Sequence, residues 1–180
     1  MSATAMLASI QGSALADWMR NSGAAPVIEA THVVAAVLLF GTVLVVDLRL
    51  LGLADSSRAV TRIGRETLPL TWLAFGASVI TGLLIFASSA QTYFGNGAFR
   101  MKTLALLGAG LNMALFQLVT ARSVAAWDQR TPPPRAARVA GLVSVLLWAA
   151  VVLLGRWIGF TKGYDFTIPP GVDPGAGLGF

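Results

Sequence analysis

The sequence predicts an all-α fold: a polytopic membrane protein built as an antiparallel bundle of four transmembrane helices. Two observations support this. Of the 180 residues, 56% are hydrophobic and only 12% are charged, which is about half the charged fraction of a typical soluble domain. Four apolar stretches are also long enough to cross a bilayer, which takes roughly 20 residues each. Helices are expected, because a backbone in lipid must satisfy its own hydrogen bonds.

The predicted spans cover residues 26–53, 68–89, 101–121 and 139–160. Pro69 is expected in the first turn of the second span, where its missing N–H does no harm. Short connections predict that neighbouring helices pack antiparallel.

Three regions follow from this pattern: an N-terminal interfacial amphipathic segment (1–24), a four-helix transmembrane domain (25–160) and an irregular C-terminal tail (161–180). In the first region Met6, Ile10, Ala14 and Trp18 recur at helical spacing, which predicts a short helix lying on the membrane surface. The tail is rich in Pro and Gly and has no periodicity, and we expect an arm that lies against a neighbouring subunit.

The arginines predict the orientation. Most of them lie in or beside the loops that join spans one and two and spans three and four, and these loops are expected in the cytoplasm. Both termini are then outside, in the periplasm if the protein lies in a bacterial inner membrane. The net charge of +5 fits this arrangement and includes no basic run of the kind that binds nucleic acid.

The sequence offers little for catalysis. It has no cysteine and a single histidine, which excludes disulfides and a conventional structural zinc site within one chain. No nucleophile motif or phosphate-binding glycine loop is present. We therefore expect no catalytic activity of its own.

Glu29 and His32 lie one helical turn apart near the outer end of span one, where an acid and an imidazole are costly to place. They continue along a stripe that ends at Asp47. The antiparallel arrangement brings Lys102 and Arg156 to the same outer face, so these four residues are candidates for one outer cluster: Glu29, His32, Lys102 and Arg156.

Other polar residues lie deeper. Asp47 and Arg49 are predicted as a structural polar pair at the inner end of span one, near the level of Gln117. Asn112, in the middle of span three, either bonds across helices or lines a ligand path.

Several interpretations of the outer cluster are open. It is either an ion pair of Glu29 with Arg156 or Lys102, or it holds a ligand. His32 is a possible axial ligand of haem b or another tetrapyrrole, with Met101 or Met113 as a weak sixth ligand and the two basic residues on the propionates. A quinone or lipid pocket is a second possibility. A metal site on Glu29-x-x-His32 is the third, but it lacks further carboxylates.

Several strings resemble those of a bacterial inner-membrane family of unknown function with four spans. They are Glu-Ala-Thr-His at 29–32, Asp-Leu-Arg-Leu-Leu-Gly at 47–52, Thr-Gly-Leu-Leu-Ile-Phe at 81–86, Phe-Arg-Met-Lys at 99–102 and Gly-Arg-Trp-Ile at 155–158. The resemblance covers about residues 18–160 and implies the four-span architecture. More loosely, the layout is similar to cytochrome b561-type and copper-resistance D membrane proteins, although the multiple histidines of those cytochromes are absent.

These features predict a non-catalytic integral membrane subunit or anchor of a larger redox or energy-converting complex, serving electron transfer, with a haem, other tetrapyrrole or quinone site near the outer face. The alternatives are a small proton-coupled or metal transporter and a purely structural membrane protein. The expected partners are the lipid bilayer and other membrane subunits or a second copy of the chain, with no nucleic acid.

Overall fold

The computed structural model describes residues 2–54, 57–129 and 132–161, and within these ranges it contains seven α-helices and no strand. Four helices are long and apolar enough to cross a membrane, which confirms the predicted membrane-protein fold. The helices are α1 (Ala3–Gln11), α2 (Ala14–Asn21), α3 (Ala25–Leu51), α4 (Val60–Ser88), α5 (Ala90–Gly95), α6 (Gly97–Leu115) and α7 (Arg135–Thr161). The predicted tail lies outside the described residues.

The helix α3 is central in the bundle, because it packs against both α4 and α7, while α6 packs against α7. The helices α4 and α6 approach each other far less closely. We call the end of the bundle that carries α5 the α5 end, and the opposite end the Trp127 end. The N-terminal helices and the end of α7 lie at the α5 end, where Asn96 Nδ2 donates to Thr161 Oγ1 at 3.0 Å.

The second span begins earlier than predicted. The helix α4 starts at Val60, so Pro69 lies inside it rather than in its first turn, and that prediction is wrong. Asp128 explains the early start, because its carboxylate accepts hydrogen bonds from Thr61 N at 2.8 Å and from Thr61 Oγ1 at 2.6 Å. A side chain distant in sequence thus caps the helix and satisfies backbone donors that helix starts leave open.

The third span changes its helical pitch near its end. After α6 the chain continues as one π-helical turn, Phe116–Thr120, and a 3₁₀ stretch, Ala121–Ala126. The 3₁₀ stretch leads to Trp127, which is buried with Leu50, Val60 and Ala137 in the core of the Trp127 end.

The N-terminal segment forms two helices where one was expected. Ser2 and Ser13 cap them by accepting from Ala5 N and Ala16 N. The break between the helices shifts the helical register, so Leu7, Ala16 and Met19 are buried. Of the predicted face Met6, Ile10, Ala14 and Trp18, only Ile10 is half-buried and the rest are exposed. The two helices pack on α5 and α4.

Candidate functional site

His32 projects from α3 onto α4. Its Nδ1 lies 3.0 Å from Thr81 Oγ1, and that hydroxyl donates to Ala77 O at 2.6 Å. The ring also faces the backbone carbonyl of Ser78. Because the Thr81 hydroxyl already donates to Ala77 O, it accepts from Nδ1, so we assign the proton to Nδ1, which leaves Nε2 with its lone pair.

Gly82 makes room for the imidazole. A Cβ atom at this position would lie 3.1 Å from His32 Cε1, which is too close for an ordinary contact. Gly82 therefore accommodates a polar side chain from α3.

Lys102 is placed on α6 as His32 is on α3, because it projects toward a glycine of the helix packed beside it, α7. Its Nζ lies 3.4 Å from where a Cβ on Gly155 of α7 would stand. The ammonium is close enough to His32 for its charge to act on the imidazole. Within residues 2–54, 57–129 and 132–161, Lys102 is half-buried and makes no hydrogen bond or ion pair.

The four residues share one depth in the bundle. His32, Gly82, Lys102 and Gly155 each lie five to seven residues from the α5-end terminus of their helix. At a rise of 1.5 Å per residue, this depth is about 8–10 Å. We call this group the His32–Lys102 site.

An aromatic triad covers the site on the side of the α5 end. Phe86 on α4 stacks on Phe99 of α6, with ring centroids 5.4 Å apart and planes at 13°. The buried Tyr93 of α5 packs 5.6 Å from Phe99 and 6.4 Å from Phe86. Phe86 lies one turn from Gly82, and Phe99 lies three residues before Lys102. The triad therefore bridges α4 and α6 on the α5-end side of the site.

Two predicted members of the cluster lie elsewhere. Glu29 and Arg156 are both exposed, and the Arg156 guanidinium lies over the ring of Phe160, 4.7 Å from its centroid. In the described part of the chain Glu29 has no ion pair, so the structure does not support the predicted pairing with Arg156 or Lys102. The reason is geometric: the buried face of α3 follows Ala35, Leu39 and Thr42, which turns Glu29 outward.

The predicted polar pair of Asp47 and Arg49 is also not formed. Both residues are buried, at 5% and 0% exposure, but two residues along a helix they point in roughly opposite directions. Asp47 meets Ser144 of α7. Arg49 donates from Nε to Arg58 O at 2.9 Å and from Nη2 to Asp128 O at 3.3 Å.

The remaining predicted residues stand apart from the site. Asn112 Nδ2 donates to Ala140 O at 3.1 Å, which confirms the interhelical alternative. Gln117 is exposed on the π-helical turn, away from Asp47 and Arg49. Met101 and Met113 are 56% and 50% exposed, so neither is directed into the interior as a ligand.

The side of His32 that meets α4 is closely packed, with Nε2 4.0 Å from the Cβ position of Gly82. Among the described residues no group of three or more His, Asp or Glu is arranged to hold a metal ion. The site instead presents an ammonium donor and a free imidazole nitrogen beside aromatic rings.

Sequence reasoning missed Thr81 and the aromatic triad as parts of this site. A signal was available, because the strings at 81–86, 99–102 and 155–158 include Thr81, Gly82, Phe86, Phe99, Lys102 and Gly155. These strings carried the family resemblance, but nothing in them indicated that they meet in space.

The profile of a family described as a family of unknown function (DUF6644) matches residues 22–161. The chain belongs to this family. The matched region of the DUF6644 protein contains all four long helices, the His32–Lys102 site and the aromatic triad. No curated protein and no solved structure matches the chain, so the looser similarity to cytochrome b561-type and copper-resistance D proteins is not shown.

Proposed function

We propose that this DUF6644 protein is a non-catalytic membrane subunit or anchor of a larger redox or energy-converting complex, and that it binds a quinone head group at the His32–Lys102 site. One observation carries the proposal. Two nitrogen groups meet at one depth inside the bundle, and no carboxylate neutralises Lys102 in the described residues. An ammonium placed there is costly unless something accepts its hydrogen bonds.

The chemistry of a quinone complements these groups. Its carbonyl oxygens accept hydrogen bonds, as the Lys102 ammonium requires, and the hydroxyl of its reduced form can donate to the free Nε2 of His32. His32 could take up that proton, because imidazole exchanges protons near neutral pH. The triad of Phe86, Tyr93 and Phe99 offers flat rings beside the site, and aromatic pairs favour offset stacking.

The bilayer provides the route of access. Because α4 and α6 pack less closely than the other neighbouring helices, a head group with an apolar tail could enter between them while its tail stays in lipid. Lateral entry of this kind needs no polar channel through the bundle.

The location follows from the charges. The exposed Arg62, Arg65, Arg122, Arg135 and Arg138 lie toward the Trp127 end of their helices. Under the positive-inside rule this end faces the cytoplasm of a bacterial inner membrane, and the α5 end, with both termini, faces the periplasm. The site then lies in the periplasmic half of the bilayer.

The two alternatives have less support. A proton-coupled or metal transporter would need a polar path along α3. Between His32 and Asp47 the buried face carries Ala35, Leu39 and Thr42, and the Thr42 hydroxyl donates back to Leu39 O on its own helix at 3.0 Å. A purely structural protein would be expected to pair Lys102 with an acid.

The quinone content of the purified protein tests the proposal. After extraction in mild detergent, quinone per protein is measured by chromatography, and binding of a short-chain quinone is titrated. Lys102→Met should lose about tenfold or more in affinity for the quinone, since a hydrogen bond to a charged group contributes about 1.5–3 kcal/mol. His32→Ala should weaken binding of the reduced quinol, because the quinol hydroxyl is the donor to Nε2. Glu29→Gln and Arg156→Gln are matched controls, because these exposed residues lie at similar depth, and should bind like the wild type.

Several outcomes would overturn the quinone assignment. If the site variants bind quinone as well as the controls do, the site is elsewhere. A Soret-type absorption band that is lost in His32→Ala would replace quinone by a tetrapyrrole. Recovery of bound anionic phospholipid, without quinone, would make the ligand a lipid head group.

A further inference from the structure

Asp47 is a second buried polar group, at the opposite end of α3 from the His32–Lys102 site. It lies where α3 and α7 approach closely: a Cβ on Gly141 would be 3.1 Å from the Asp47 carbonyl oxygen. The Ser144 hydroxyl, one turn further along α7, is its hydrogen-bonding neighbour. The side chain is enclosed, since Asp47 is 5% exposed and Ser144 is 8% exposed.

One oxygen of this carboxyl has nothing to bond to. Asp47 Oδ2 is buried and has no hydrogen-bond partner among the described residues. Of the other described carboxyl groups, Asp17, Glu29 and Glu66 are exposed and Asp128 is bound to Thr61. In this part of the chain Asp47 is therefore the one carboxyl that is both buried and incompletely bonded.

Within the ranges 2–54, 57–129 and 132–161, no positive charge compensates it. Arg49, on the same helix, is directed to the loop carbonyls of Arg58 and Asp128. The charged side chains of the two helices packed against α3 are all exposed and do not face the carboxyl: Arg62, Arg65 and Glu66 on α4, and Arg135, Arg138 and Arg156 on α7.

A buried carboxylate without a countercharge is far more costly than a neutral carboxylic acid. The Ser144 hydroxyl can bond only one oxygen. A proton on Oδ2 removes the charge from the atom that lacks a partner, and it leaves the Ser144 contact and the close approach at Gly141 in place.

We propose that Asp47 is a proton-binding site of this protein, held as a neutral carboxylic acid between α3 and α7. Release of the proton leaves an unpaired charge at a close contact between the two helices, so proton binding and α3–α7 packing are coupled. The proposal does not depend on the quinone assignment, because the two sites lie at opposite ends of α3.

Infrared spectroscopy of the full chain in detergent tests this directly. The wild type should show the C=O stretching band of a protonated carboxylic acid at neutral pH, with a shift in heavy water. The band should be missing in Asp47→Asn and retained in Asp128→Asn, the matched control at the same end of the bundle. Ser144→Ala should shift the band, because its hydrogen-bonding neighbour is gone.

Thermal unfolding gives a second readout. The amide of Asp47→Asn is neutral and similar in shape, so this variant should fold. The unfolded chain releases the proton more readily than the folded one, and stability therefore falls as pH rises. The wild-type midpoint should decrease between mildly acidic and alkaline pH, and the Asp47→Asn midpoint should decrease less.

Three results would overturn the proposal. The first is that the wild-type spectrum contains no acid band that disappears in Asp47→Asn. Another is an acid band that appears only when sodium and potassium are withdrawn, which would make Asp47 a cation ligand. The third is that the unfolding midpoints of the wild type and of Asp47→Asn depend equally on pH. If Asp47→Asn fails to fold, an unshifted acid band in Ser144→Ala contradicts the placement of the protonated acid beside Ser144.

Discussion

Replacing Arg49 with methionine removes a fully buried guanidinium that joins α3 to both connections at the Trp127 end. The side chain is 0% exposed and donates to Arg58 O at 2.9 Å and to Asp128 O at 3.3 Å. Hydrogen bonds to charged groups contribute about 1.5–3 kcal/mol each, so the two together contribute about 3–6 kcal/mol.

Part of that loss is offset in the variant. Arg49 Nη1 is buried without a partner in the described region, and the variant no longer has to bury a charge. Asp128 O also keeps a hydrogen bond from Val60 N at 3.1 Å, whereas Arg58 O loses the hydrogen bond that the guanidinium donated to it. We therefore expect Arg49→Met to lower the free energy of unfolding by about 3 kcal/mol, at the lower end of the range.

The assay is thermal unfolding in detergent, with Arg62→Met as the matched control. Arg62 is exposed and pairs with Glu66 one turn away at 3.0 Å, and exposed pairs of this kind contribute little to stability. Arg49→Lys should fall between the two, because an ammonium lacks the fork that reaches two carbonyls in different directions. If Arg49→Met unfolds at the same temperature as Arg62→Met, the guanidinium does not hold these connections together.

Three further variants can be measured by the same assay. Gly82→Ala should cost about 1–3 kcal/mol, since its Cβ would meet the His32 ring at 3.1 Å. The control Gly76→Ala should not destabilise the protein, because nothing lies within 4 Å of its Cβ position. Equal unfolding midpoints of the two variants would contradict the close contact at Gly82. Asp128→Ala should cost about 0.5–2 kcal/mol through loss of the α4 cap, and hydrogen exchange should rise in the first turn of α4 but not at its far end. Asn112→Leu should cost about 0.6–1 kcal/mol, and a stabilised variant would show that the hydrogen bond to α7 contributes nothing.

The long helices could be predicted from sequence because lipid imposes length and apolarity on each span separately. Their ends could not be predicted as well. The start of α4 depends on Asp128, which lies 67 residues beyond Thr61, and a cap contributed from so far away leaves no local pattern around Val60.

The candidate site was predicted only in part, because the sequence gives the depth of a residue along its helix but not the direction in which its side chain points. Depth along each helix can be counted from the sequence, so His32 and Lys102 were correctly placed at one level. The direction of each side chain depends on which neighbours a helix has. A central α3, packed on two sides, turns Glu29 outward and Thr42 inward.

The docking of the N-terminal helices has a consequence for biosynthesis. Arg20 Nη1 donates to Ser88 O at 2.8 Å, and Gln11 Oε1 accepts from Gln91 N at 3.0 Å. Residues made first by the ribosome thus find their partners only after the chain has crossed the bilayer, returned and reached α5. A nascent chain that ends before residue 88 therefore lacks the hydrogen-bond partners of Arg20 and Gln11.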